Sequence, residues 1–291
     1  MSPGEASYHL LSDQVKRTYE FHADPSKRIG TGWESIDPLI LGGIAPGEVF
    51  YILGRSHTGK SMFLLNVIRN NQASPSILFT IEMPEHQAIT RLTAMVMAQD
   101  HDLIQRQMRN NHLAWEANPL LNYDTFIVDD SVSFAAMTEV IEKIKHDYFE
   151  ELWPRFVCLD YLELVRTDGS RKEGYERAEV LARDLKAWSK AMQLPVFVVH
   201  QSNMTRKRWE SVDENSARGA GYTEADVVMG VWHPASDPKV NHDRDTWQTF
   251  KAQVIKNRIS GALSEQLTFK LNTSLTLDDP VTLDRMTMGL V

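Results

Sequence analysis

Eight consecutive residues, Gly54-Arg55-Ser56-His57-Thr58-Gly59-Lys60-Ser61, fit the pattern G-x-x-x-x-G-K-[ST]. Glycines let such a loop curl so that backbone N–H groups point inward at phosphate oxygens, and a helix starting behind it adds partial positive charge. Lys60 would then reach the β- and γ-phosphates, and the Ser61 hydroxyl would ligate Mg²⁺. A plain glycine-bearing turn is the alternative, but here a strand precedes the loop and a helix follows it, the context the motif requires. The loop predicts a nucleoside triphosphate site. Two carboxylates extend it. Asp160 follows the apolar run Phe156–Leu159 and can hold the Mg²⁺ shell from a strand end. Glu82 ends the run Ile77–Ile81 and can orient and deprotonate an attacking water, with Glu163 ranked second for that role.

These residues need a particular frame. Glu48–Leu53 reads as a strand, Gly54–Ser61 as a loop and Met62–Asn71 as a helix. Ile77–Ile81 is a second strand, followed by a helix beginning near Pro84. Phe126–Val128 is a third strand, and Phe134, Met137, Val140, Ile141, Ile144 and Tyr148 form one helical stripe. Phe156–Leu159 and Val196–Val199 suit strands buried on both faces, with a helix over 173–192 between them. Asp226–Trp232, Thr249–Lys256 and Gln266–Leu271 read as strands without intervening helices. The prediction is an α/β core with a mostly parallel sheet flanked by helices and an antiparallel C-terminal extension. Residues 1–29 read as an extension with a helix over Ala6–His22, and 30–291 as one domain.

Composition narrows the class. The chain has 291 residues, 42% apolar and 24% charged, as in an ordinary globular protein. No run is long and apolar enough to span a membrane, and the first residues carry no leader pattern. A single cysteine, Cys158, excludes internal disulfides and points to a reducing, cytoplasmic setting. With 31 Lys+Arg against 39 Asp+Glu, the net charge of −8 requires any nucleic-acid contact to come from a local patch. The ten histidines show no metal-binding spacing. Asp129-Asp130 is a small acidic strand end, read as solvated in preference to a nuclease-like ion site.

Further elements carry a family resemblance. Phe79–Pro84 resembles the "SLEM" element of DnaB-type replicative helicases, and Leu159–Leu164 their "IDYLQL" strand. Val198–Asn203 resembles "LSQLNR", Glu224–Met229 resembles "DADVVLFL", and Ile255–Gly261 is similar to "AKQRNGPTG". With the phosphate loop, they occur in the family's order from about residue 30 to 275. The resemblance implies a RecA-like P-loop ATPase using ATP and Mg²⁺, working as a ring, usually of six subunits, on single-stranded DNA in replication. It implies Glu82 as catalytic base, Asp160 as the Mg²⁺ aspartate and Gln201 as a sensor coupling γ-phosphate to DNA loops. It also implies that Lys256 and Arg258 reach a neighbour's γ-phosphate; their period-two spacing fits alternate exposed residues of an edge strand equally well.

Departures are visible. His200 stands where serine is common and Ser202 where leucine is; Trp232-His233-Pro234 replaces "YR". His200 reads as a polar strand-end residue, a γ-phosphate contact being the minor alternative. Family members carry a helical domain ahead of the motor, and about thirty residues precede it here. By analogy Ala6–His22 is a linker helix packing on the adjacent subunit, a loose tail being the alternative. Two basic, glycine-containing segments follow strand ends and suit nucleic-acid loops: Arg166, Arg171, Lys172 and Arg177, then Arg206-Lys207-Arg208-Trp209 and Arg218. Replication proteins are expected partners. Two other readings stay open: a RecA/RadA-like recombination ATPase, and an ATP-regulated nuclease or loader on the same fold.

Overall fold

Val49–Gly54 is buried along its whole length and forms strand β1 at the centre of a nine-stranded sheet. The computed structural model describes residues 10–130, 132–148, 153–166, 174–201, 207–214, 222–239 and 247–287. Five further strands run parallel to β1: β2 (Ser76–Thr80), β3 (Thr125–Val128), β4 (Phe156–Asp160), β5 (Val196–Gln201) and β6 (Val227–Trp232). Then β7 (Thr249–Asn257), β8 (Leu267–Leu271) and β9 (Leu277–Asp278) add antiparallel at one edge. The order is β3-β2-β4-β5-β1-β6-β7-β8-β9. One assignment changes: Asp226–Trp232, expected in the antiparallel tail, closes the parallel set, pairing Phe50 with Val227 and Leu53 with Gly230.

Helices cover both faces. On one side α2 (Lys60–Asn70) and α3 (Glu85–Met97) pack Phe63, Leu64, Leu92 and Met95 against Phe50, Ile52, Phe197 and Val199. On the other, α5 (Phe134–Tyr148) and α6 (Gly174–Met192) pack Met137, Ile141, Leu181 and Leu185 against Tyr51, Leu53, Val196 and Val198. Alternate residues of β1 and β5 thus serve opposite cores, which is why these strands are apolar at nearly every position. Helix α4 (His101–Arg109), unforeseen in the sequence, buries only Ile104. A last helix, α7 (Pro280–Thr287), follows β9. The N-terminal helix α1 (Leu11–Ala23) buries nothing, and Leu11, Val15 and Tyr19 are exposed. No helix among the described residues is long and apolar enough to cross a membrane.

Partly buried polar ties fix the frame. Asp226 Oδ2 accepts the Val49 N–H at 2.7 Å and pairs with Lys186 Nζ at 2.6 Å, anchoring the start of β1 to β6 and α6. This gives the Ala-Asp-Val-Val element a structural purpose. Parallel pairing brings Gly54 opposite Gln201 and Thr80 opposite Asp160, so the carboxyl ends of β1, β2, β4 and β5 converge on one side of the sheet.

Candidate nucleotide site

At that convergence lies a cleft of about 490 Å³. The phosphate loop forms its floor. Gly54 is required by close approach: a Cβ there would stand 2.5 Å from the Val231 carbonyl and 2.6 Å from Thr58 Oγ1. Gly59 has φ +80°, and a Cβ would meet the Phe250 ring at 2.7 Å. Helix α2 starts at Lys60 immediately behind, so its unpaired N–H groups face the loop. Thr58 Oγ1 and Lys60 Nζ each donate to the Arg55 carbonyl at 2.8 Å. Lys60 is 8% exposed; burial lowers its pKa, against the opposing pull of Asp160, Glu163 and Glu82.

Asp160 is 2% exposed. Burial, with the nearby Glu82 charge, pushes its carboxyl up to about 6, although a Ser61 hydrogen bond, Lys60 and Arg91 pull the other way. Its Oδ1 is buried without a hydrogen-bond partner among the described residues. A hydroxyl and a carboxylate side by side, with one carboxylate oxygen unpartnered, fit a hard divalent cation such as Mg²⁺. Glu82 lines the same cleft and is exposed to it, while its backbone N–H donates to the Asp160 carbonyl at 3.3 Å. Gln201 lines the cleft from β5.

Glu163 is committed elsewhere: its Oε1 accepts the Gln201 N–H at 2.7 Å, and it does not line the cleft. Burial raises its pKa, but the His200 charge and hydrogen bonding outweigh that and hold it below the usual range. His200 is 1% exposed and faces Tyr51, on the side of the sheet away from α2. That orientation supports the strand-end reading over a γ-phosphate contact.

Sequence reasoning missed Arg91. It is half-buried on α3, lines the cleft with Gln87 one turn earlier, and feels both Asp160 and Glu82. The spacing Pro84, Gln87, Arg91, one helical face behind Glu82, was the available signal.

Lys256 and Arg258 lie at the other end of the sheet. Asn257 pairs with Val227, whereas the phosphate loop leaves β1 beside Val231. Four residues of strand separate them, about 13 Å. Lys256 Nζ donates to the Tyr222 carbonyl at 2.5 Å and the Thr223 carbonyl at 3.0 Å, above the Tyr222 ring. Arg258 is exposed, and its N–H donates to the Asp226 carbonyl at 2.8 Å. Asn257, also missed, shapes this turn by bonding Leu39, Ser260 and Ala262.

Of the expected nucleic-acid residues, Arg171, Lys172, Arg206 and Arg218 lie outside the described residues. Lys207 and Arg208 are exposed, with Lys207 over the Trp209 ring at 5.2 Å. Arg177 is a structural tie, donating to the Glu163 and Val165 carbonyls at 2.8 and 3.0 Å. Asp129 accepts the Glu85 N–H at the start of α3, and the described residues contain no acidic or histidine cluster able to hold a metal. His233 is buried, stacked on Phe250 at 4.4 Å.

The chain is 29% identical over 228 residues to the replicative DNA helicase DnaB of Buchnera aphidicola (subsp. Schizaphis graminum), covering 72% of this chain and 48% of that protein. It is 27% identical over 217 residues to the Haemophilus influenzae DnaB, covering 70% and 46%. The chain thus spans about half the length of the curated relatives it matches. A solved ATPase domain superposes with TM-score 0.77 at 16% identity, covering 94% of this chain and 99% of that one. A DnaB-like replicative helicase, solved in a study of its interactions with primase, gives 0.73 at 16% identity, covering 96% and 68%. The model of the DnaB-like helicase C terminal domain matches residues 28–275, and the chain belongs to that family.

Proposed function

We propose that this chain is the motor of an ATP-dependent helicase, a ring-forming ATPase that translocates on single-stranded DNA in replication, in the cytoplasm. The observation that carries the proposal is the position of Arg258: exposed on an ordered turn, about 13 Å of strand from the chain's own phosphate loop. A cation held there cannot serve its own nucleotide. It suits a neighbour's, which makes the catalytic unit an interface and favours a closed ring, with six copies as the family precedent.

The roles follow from the cleft. Gly54–Ser61 hold the phosphates of ATP, with Arg55, Ser56, His57, Thr58 and Gly59 supplying the backbone cradle and Lys60 the cation. Ser61 and Asp160 would hold Mg²⁺, which neutralises charge developing on the phosphate oxygens. Glu82 takes the proton of the attacking water, with Arg91 beside it to keep its carboxylate oriented. Gln201 senses the γ-phosphate. Arg258 of one subunit, supported by Lys256, stabilises the transferring phosphoryl group in the next. Arg171, Lys172, Arg206, Lys207 and Arg208 bind the DNA backbone toward the ring's channel.

Residues 1–29 form a linker whose helix α1 docks on an adjacent subunit, residues 30–291 being the motor domain. In support, α1 exposes Leu11, Val15 and Tyr19, an apolar stripe that none of the described residues covers. Replication proteins are the expected further partners. Light scattering with and without ATP analogue and single-stranded oligonucleotide, alongside ATPase rates, tests the reading. A ring near six subunits with DNA-stimulated hydrolysis supports it; a monomer with no stimulation refutes it.

A further inference from the structure

One cluster of polar groups, two of them buried and the third a quarter exposed, has no part in the chemistry assigned above. Tyr51, His200 and Glu163 meet on the α6 side of the sheet. Tyr51 and His200 are each 1% exposed, and their rings meet edge to face at 5.4 Å. His200 Nδ1 lies 2.9 Å from Glu163 Oε1, within ion-pair range but off the ring's N–H direction. Tyr51 Oη, both His200 ring nitrogens and Glu163 Oε2 are buried without hydrogen-bond partners among the described residues. Groups left in that condition cost free energy, so their retention calls for a purpose.

The purpose is visible in what Glu163 holds. Its Oε1 accepts the peptide N–H of Gln201 at 2.7 Å. Its own carbonyl, and that of Val165, accept from the Arg177 guanidinium at 2.8 and 3.0 Å. The short turn Leu162–Leu164 after β4 is thereby tied to α6 on one side and to the last residue of β5 on the other. Glu163 and His200 also stand where the family motifs quoted above have glutamine and serine. Two departures from the pattern touch each other, as expected if one compensates the other.

We propose that Glu163 is a positioning residue: its carboxylate pins the Gln201 main chain to the turn after β4, and His200 keeps that carboxylate in place. The pair sets where the Gln201 side chain stands relative to the nucleotide, an inference that rests on reading Gln201 as the sensor. It touches neither nucleotide nor water itself. A neutral Gln–Ser pair can satisfy the same positions, whereas a mixed pair leaves one partner buried and unmatched.

The test uses the wild type, Glu163→Gln, His200→Ser, the double variant and Glu163→Ala. Steady-state kcat and KM for ATP are measured with and without single-stranded DNA, together with hydrogen exchange of the Gln201 amide. Each of the first two single variants should lower kcat at least fivefold with KM within twofold of wild type. The double variant should return kcat to within twofold. Glu163→Ala, which removes the acceptor, should speed Gln201 amide exchange at least tenfold. Losses that simply multiply in the double variant, or unchanged exchange in Glu163→Ala, would overturn the proposal. A wild type indifferent to DNA would sink the motor reading instead, and the exchange comparison and DNA-free kcat cycle would still decide whether Glu163 holds Gln201.

Discussion

Replacing Asn257 by alanine removes the side chain that shapes the turn carrying Arg258. Asn257 is 7% exposed. Its amide nitrogen lies 2.7 Å from the Leu39 carbonyl, 2.9 Å from Ser260 Oγ and 2.8 Å from the Ala262 carbonyl. Its Oδ1 accepts the N–H groups of Ile259 and Ser260 at 3.0 and 3.3 Å. An amide has only two N–H donors, so these contacts amount to four hydrogen bonds at most. At about 1 kcal/mol net for each, the ceiling is about 4 kcal/mol. Ser260 is exposed and keeps its own bond to Leu39, so water and that hydroxyl recover part of the loss. The expected destabilisation is about 2–3 kcal/mol, a fall in Tm of roughly 5–10 °C for a domain of this size. The nucleotide cleft is at the far end of the strands, so affinity for a fluorescent ATP analogue should stay within twofold. DNA-stimulated kcat should drop about tenfold or more, a fraction of what a whole arginine finger contributes. Thermal melts, nucleotide titration and ATPase assays at 15 °C below the variant's Tm separate the effects. A variant with the lowered Tm but wild-type kcat would refute the claim that this turn presents a catalytic arginine.

Glu82→Gln keeps the shape of the cleft and removes the proposed base, so ATP binding should persist while hydrolysis falls at least about a hundredfold; single-turnover assays check both. Lys256 has a pKa lowered to about 8 by burial, with the Arg258 charge adding to it. Between about 8 and its unfolded value of 10.5, the unfolded chain holds more protons on this residue, so its contribution to stability rises with pH across that window. Lys256→Met should flatten that rise in melts taken from pH 7.5 to 10.5. Because α1 buries nothing in its own chain, Leu11→Ser/Val15→Ser/Tyr19→Ser should leave the monomer's Tm within about 1 °C. The same variant should assemble at least tenfold more weakly by sedimentation.

The parts of the fold legible in the sequence are those set by local rules. The phosphate loop, with its flanking strand and helix, is specified by adjacent residues. Phe156–Leu159 and Val196–Val199 announce buried strands because both faces are covered. Strand order is a different kind of fact: runs buried on both faces look alike, and nothing within Val227–Trp232 says that it pairs parallel with β1. The same limit hid the contact between Glu163 and His200, which exists only because β4 and β5 are neighbours in the sheet. Helix α4 is hard to read in the sequence because its one buried residue, Ile104, leaves too faint an apolar stripe. Arg91 is legible from its spacing with Pro84 and Gln87, although a helical arginine is ordinarily a solvated one. Asn257 was read only as part of a motif, although its work is to shape the turn that displays its neighbour.

Catalysis across a subunit interface is tested most directly by subunit mixing. Lys60→Ala and Arg258→Ala should each be nearly inactive alone, the first without a working phosphate loop and the second without the proposed finger. Mixed in equal amounts and allowed to exchange subunits, they should regain on the order of a quarter of the wild-type ATPase rate, from interfaces pairing an intact loop with an intact arginine. A mixture no more active than the two variants apart, with subunit exchange verified by fluorescence energy transfer, would contradict the account.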